Sequence, residues 1–266
     1  IKPESKRKPY HYRLIPMKSH RQKKRNIKKQ FIPNILTLVN MFLGFLAIGL
    51  ILNGHPIKAG IFIIVAGVFD VFDGKIARML GISSRFGVEF DSMADTVSFC
   101  VVPSILVYSL YVEGLPPLLG GVISFIPLMF GTIRLAKFNI EQEPEKPKSY
   151  TIGLTTTIAT ITLFSYLFFN HQIDGDYGDP RTALMLVAAL GILMISPIHF
   201  EKFPLFSFKS GRANSILLIG LISGVITLAI WKGYALLPMA LVYIGWNIIH
   251  WLIKPDRHEI TTYVDN

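Results

Sequence analysis

Apolar residues along this chain come in blocks of about twenty, divided by short charged or turn-forming stretches, with no sustained two-residue alternation. A helix needs ~20 residues to cross ~30 Å of hydrocarbon. The pattern therefore predicts eight helical spans, over roughly 32–52, 57–78, 88–111, 117–138, 150–169, 182–198, 214–231 and 234–252. Strands are not expected, because an open sheet edge finds no hydrogen-bond partner in lipid. The fold class is thus an all-α, polytopic transmembrane helix bundle. Pro127 falls inside the fourth block and is expected to kink that helix. The polar stretch "NHQIDGDYGDP" after the fifth block reads as a solvated turn. Its Asp174, Asp176 and Asp179 lack the spacing and closing Glu of a calcium loop.

Composition supports this picture. Hydrophobic residues make up 51% and mean hydropathy is +0.47. Charged residues are 17%, against about 25% in soluble domains. The single cysteine, Cys100, excludes an intrachain disulfide, and the seven histidines are too scattered for a zinc site.

The net charge of +10 is unevenly placed, with twelve Lys and Arg in residues 1–30. A basic arm that leads directly into an apolar span points to anionic lipid headgroups, not to nucleic acid. It is too long for a cleavable signal peptide. Of the 27 Lys and Arg, 24 fall on the N-terminal arm and the segments on its side of the membrane; Lys58, Arg181 and Lys232 remain for the other side. The positive-inside rule then sets both termini in the cytoplasm.

Against this apolar background, "FDVFDGKIARMLGISSRFGVEFDSMADTVSF" holds four aspartates, Asp70, Asp73, Asp91 and Asp95. Asp70 and Asp73 are spaced i, i+3, and with Gly74 and Ala77 they share one helical face. Gly87, Asp91 and Asp95 line a stripe of the next helix. The turn "MLGISSRF" makes the two helices antiparallel, so both acidic faces meet near the inner surface. Gly74, Ala77 and Gly87 lack bulk and admit close approach. Four packed carboxylates repel unless compensated. Two divalent cations, Mg²⁺, Mn²⁺ or Ca²⁺, balance them; Mg²⁺ leaves positions for phosphate oxygens, and Arg78 can clamp a phosphate. A divalent-metal transporter is the competing class, since intramembrane acids also mark ion paths. It predicts acids spread through the membrane depth, whereas these four lie near one face.

The pattern Asp70-x2-Asp73-Gly74-x2-Ala77-Arg78-x8-Gly87-x3-Asp91-x3-Asp95 matches the signature of the CDP-alcohol phosphotransferase family without a departure. Three further stretches resemble its membrane-embedded, serine-accepting members: "IPNILTLVNMFLGFLAI", "RLAKFNIEQ" and "EKFPLFSFK". "FDSMADTVSFCVVPSILVY", with Pro103, is also similar to that subgroup. Where the subgroup carries G-L/M-P-x-P, this chain has "GLTTT" at 153–157. The resemblance implies metal-dependent transfer of a phosphatidyl group from CDP-diacylglycerol to L-serine, with release of CMP. The alternative is the same chemistry on another alcohol, such as glycerol 3-phosphate or an inositol phosphate. The resemblance further implies that Asp70, Asp73, Asp91 and Asp95 hold two dications and that Asp95 is also the general base. Asp70, Gly74, Ala77 and Arg78 then line the CDP site.

Arg134 and Lys137, one turn apart at a cytoplasmic helix end with Asn139 beyond, are candidates for the acceptor or a phosphate oxygen. Tyr150, Thr155 and Thr156 are secondary candidates for the acceptor, and Ser83, Ser84 and Arg85 for the nucleotide. The expected organisation is a basic arm (1–30), a catalytic membrane domain (31–212), two additional spans (213–253) and a cytoplasmic tail (254–266). Family members are commonly homodimers, and the expected location is the inner membrane, multi-pass, with its active site facing the cytoplasm.

Overall fold

The computed structural model describes residues 20–79, 84–141, 150–201 and 235–253. The expected span at 214–231, the "EKFPLFSFK" stretch beyond Glu201, Ser83 and the tail all lie outside these residues. In chain order the elements are α1 (His20–Leu52), α2 (Pro56–Met79), α3 (Arg85–Asp95), a π-helical segment (Thr96–Val101), α4 (Val102–Leu110), α5 (Pro117–Ser124), α6 (Ile126–Glu141), β1 (Tyr150–Ile152), α7 (Thr156–Ile173), α8 (Pro180–Ile195), β2 (His199–Glu201) and α9 (Leu236–Ile253).

The described chain is mostly helical. Four stretches are long and apolar enough to cross a membrane: Pro33–Leu52, Arg85–Leu110, Pro117–Ile140 and Leu236–Ile253. The helix α1 begins at His20, so its backbone continues from the basic stretch into the apolar one without a break. At 33 residues it is about 50 Å long, well beyond the hydrocarbon thickness. The helix α2 carries Lys58, Asp70, Asp73, Lys75 and Arg78 among its apolar residues. The helix α7 is the most enclosed, buried nearly continuously from Thr156 to Phe168.

A tight turn sets α1 and α2 antiparallel. Gly54, at φ +76°, follows the last turn of α1. Its N–H bonds the Ile51 carbonyl at 3.0 Å, and His55 N–H bonds Leu50 at 2.8 Å. This is a Schellman closure, in which a left-handed residue satisfies the last carbonyls of a helix.

Two features were not expected. The first is the small antiparallel pair β1–β2, with Thr151 opposite Phe200. Residues 150–152, assigned by periodicity to the fifth span, form a strand instead, and α7 starts only at the Thr155 cap. The reason is local. Gly153 adopts φ +74°, and a Cβ there would collide with the Met194 carbonyl. Gly153 and Leu154 instead donate their N–H groups to Ile198 and Leu193, at 2.8 and 2.9 Å. The chain is thus stitched to the end of α8 before it turns helical, with its backbone groups paired inside the protein.

The second is the π-helical segment that follows Asp95. Pro103 has no N–H for the carbonyl four residues earlier, that of Phe99. Thr160 on α7 donates its hydroxyl to that carbonyl at 2.7 Å. Insertions of this kind are frequent at functional sites. Pro127 acts as expected: a turn at Phe125 separates α5 from α6, and the Leu128 N–H finds the Ser104 hydroxyl at 3.0 Å. The "NHQIDGDYGDP" turn is pinned by Tyr111 and Tyr166, whose hydroxyls donate to the carbonyls of Tyr177 and Asp179.

Candidate active site

The acidic stretch folds as two helices, and the start of the second is secured by a side-chain cap. The Ser84 side chain caps α3 by accepting the Gly87 N–H at 3.0 Å, a preferred N-cap arrangement. Gly87 faces Asn34 of α1 closely enough that an added Cβ would lie 3.7 Å from its Oδ1. From these starting points α2 and α3 bring their carboxylates together.

Asp70, Asp91 and Asp95 each place one carboxylate oxygen within 4.8 Å of the others. Oxygens on opposite sides of a Mg²⁺ lie about 4.2 Å apart and around Ca²⁺ a little more, so this spacing suits one dication. Asp91 Oδ1 is buried without a hydrogen-bond partner. Three mutually close carboxylates with an orphaned oxygen fit a hard dication.

Asp73, the fourth acid of the motif, lies beside this trio, but its oxygens are not among those grouped within 4.8 Å. It is 3% exposed, and its Oδ2 accepts the Thr37 hydroxyl of α1 at 2.8 Å. Asp70 is held similarly from the opposite side, where Thr157 Oγ1 of α7 donates to its Oδ2 at 3.1 Å. Asp95 is also buried, with Asn40 Nδ2 of α1 at 3.5 Å from its Oδ1.

Arg134 is buried on α6, with its Nε lacking a partner and its guanidinium 5.8 Å from the Phe138 ring centroid. Its charge acts on both Asp95 and Asp70. Lys137, one turn on, is exposed. Asn139 faces α3 and donates to Ser92 Oγ at 2.9 Å, while its Oδ1 is buried and unpartnered. Gly74 lies beside Asp73, and Ala77 and Arg78 fall on the final turn of α2, their side chains outside the described residues. Tyr150 stacks on His199, centroids 4.2 Å apart. Thr155 is spent on capping α7, and Thr156 is buried.

Sequence reasoning missed Thr37, Asn40 and Thr157. The first two had a readable signal: Thr37, Asn40 and Gly44 lie within about 60° of arc on an otherwise apolar helix. Thr157 gave no signal of its own, since its neighbours in "GLTTT" are equally polar.

A sequence model of the CDP-alcohol phosphatidyltransferase family matches residues 30–246. The chain is 30% identical over 223 residues to a CDP-diacylglycerol–serine O-phosphatidyltransferase of Helicobacter pylori, covering 83% of this chain and 90% of that one. It is 36% identical over 190 residues to the enzyme of that name from Bacillus subtilis, covering 69% and 99%. An archaetidylserine synthase of Methanothermobacter thermautotrophicus is 32% identical over 175 residues, covering 64% and 70%. The chain belongs to the CDP-alcohol phosphatidyltransferase family.

Proposed function

We propose that this protein transfers the phosphatidyl group of CDP-diacylglycerol to the hydroxyl of L-serine, giving phosphatidylserine and CMP. The observation that carries the reading is the meeting of Asp70, Asp91 and Asp95 within a chain whose family match spans the whole bundle. Support for serine comes from the names of the bacterial relatives and of the archaeal one, which shares the seryl headgroup.

Asp70, Asp91 and Asp95 would hold a dication, Mg²⁺ or Mn²⁺, with Asp73 beside them for a second. Such ions neutralise a diphosphate and its departing CMP. The residues do the rest. Asp95, the buried member of α3 in the trio, takes the proton of the serine hydroxyl as it attacks the phosphorus bearing diacylglycerol. Gly74 and Ala77 leave room for the nucleotide, and Arg78 holds a phosphate oxygen. Arg134, with a spare buried N–H, meets the serine carboxylate or a phosphate oxygen. Lys137 and Asn139 flank that position. The distribution of Lys and Arg supports an inner-membrane, multi-pass chain with this site at the cytoplasmic face. A homodimer and the division at 31–212 and 213–253 belong to the same reading.

The test is CMP release from CDP-diacylglycerol by purified protein with Mg²⁺ or Mn²⁺ and a panel of alcohols. Release with L-serine alone is the expected result. Release only with glycerol 3-phosphate would reassign the acceptor. Asp95→Asn should end turnover while CDP-lipid binding persists.

A further inference from the structure

We infer that Asn40 is a positioning residue for Asp95, fixing its carboxylate through a two-point attachment between α1 and the junction of α3 with the π-helical segment. The inference rests on the transferase reading for the role of Asp95, and on the geometry for everything else.

Asn40 is fully buried within the apolar part of α1. A buried amide in such a setting costs free energy unless it is bonded. Its Nδ2 reaches Asp95 Oδ1 at 3.5 Å, at the long edge of hydrogen-bond range. Its main-chain carbonyl accepts the Ser98 hydroxyl at 3.0 Å. Asp95 ends α3 and Ser98 lies three residues on in the π-helical segment, so one residue of α1 holds the chain on both sides of that junction. Gly44, one turn further along α1, rests against Ser98 so closely that a Cβ there would strike the Ser98 Oγ and lie 2.9 Å from its Cα. The α1 backbone is therefore seated on this segment and cannot slide without breaking the Ser98 bond.

The consequence concerns direction. The two oxygens of Asp95 are equivalent in a free carboxylate. With Oδ1 tied to Asn40, rotation about χ2 is restricted, and the carboxylate is held in one orientation within the group it forms with Asp70 and Asp91. Asn40 Oδ1 remains buried without a partner, so among the described residues the amide's one side-chain hydrogen bond is to Asp95. Partners of this kind around a metal site typically change affinity or activity by about 10–100-fold when removed.

The test is Mn²⁺ binding, followed by electron paramagnetic resonance on the full chain in detergent. Wild type, Asn40→Leu, Asp95→Asn and the double variant are compared. Asn40→Leu keeps roughly the side-chain volume and removes the donor, and Asn40→Ala serves as a second variant should the first fold poorly. The expected result is about tenfold weaker Mn²⁺ binding for Asn40→Leu in the wild-type background, and a change below about twofold once Asp95 is already Asn. Unchanged affinity in the single variant would overturn the inference. So would the same tenfold loss in both backgrounds, which would mean general loosening of the bundle. The measurement uses neither CDP-lipid nor serine, so a wrong acceptor leaves it standing.

Discussion

Thr157 of α7 donates its hydroxyl to Asp70 Oδ2 of α2 at 3.1 Å, across 87 positions of sequence. That bond ties the most enclosed helix of the bundle to the first acid of the family motif. The same carboxylate belongs to the cluster with Asp91 and Asp95.

Thr157→Val keeps the side chain's shape and removes the donor. Turnover is expected to fall about 10–100-fold, with little loss of folded protein, while Thr157→Ser retains most activity. Initial rates of CMP release at saturating serine and Mn²⁺ measure both. Wild-type turnover in the valine variant would mean that Asp70 needs no such support.

Gly131 and Cys100 form a close helix contact beside the site. A Cβ at position 131 would lie 2.5 Å from the Cys100 sulfur, 3.3 Å from its Cβ and 3.4 Å from Thr156 Cγ2. Gly131→Ala is therefore expected to cost about 1–3 kcal/mol through overpacking. Removing the sulfur relieves the worst overlap, so Cys100→Ala/Gly131→Ala should unfold at a higher temperature than Gly131→Ala alone. Thermal unfolding in detergent, followed by tryptophan fluorescence, reads the difference.

Asp179 caps α8, accepting the Thr182 N–H and hydroxyl, each at 3.0 Å. The Thr182 N–H, and then its hydroxyl, hold the Asp179 carboxyl below its ordinary value. A carboxyl depressed in the folded state contributes stability above its unfolded pKa and loses it as pH falls through the folded one. Asp179→Ala should thus unfold at a lower temperature than wild type at neutral pH, with the gap closing in acid. Unfolding midpoints across a pH series from neutral to strongly acidic check this. A gap that stays constant would show that the charge plays no part in the cap.

How far the sequence carried the description depends on the element. The helices of the described chain lie where the apolar blocks put them, because in lipid a run of twenty apolar residues has few alternatives to a helix. Asp70, Asp91 and Asp95 were legible because i, i+3 and i, i+4 spacing on antiparallel neighbours dictates which faces meet. The strand at Tyr150–Ile152 was not, since it depends on the end of α8, more than forty residues away in sequence. Nor was the hydrogen-bond partner of Asp73. Spacing placed this acid on the shared face, but the Thr37 hydroxyl, on a different helix, takes its carboxylate. Periodicity shows which face a residue occupies, and it does not show which neighbour claims its last hydrogen bond.

The central claim is that the carboxylates of Asp70, Asp91 and Asp95 form the metal site on which transfer depends. The most direct measurement is CMP release from CDP-diacylglycerol and L-serine by chelator-stripped protein, titrated with Mn²⁺, in wild type and Asp91→Ala. Stripped wild type should be inactive and regain turnover as Mn²⁺ is added, while Asp91→Ala should stay inactive at concentrations that saturate the wild type. Full turnover after stripping, or an identical Mn²⁺ response in both proteins, would contradict the account.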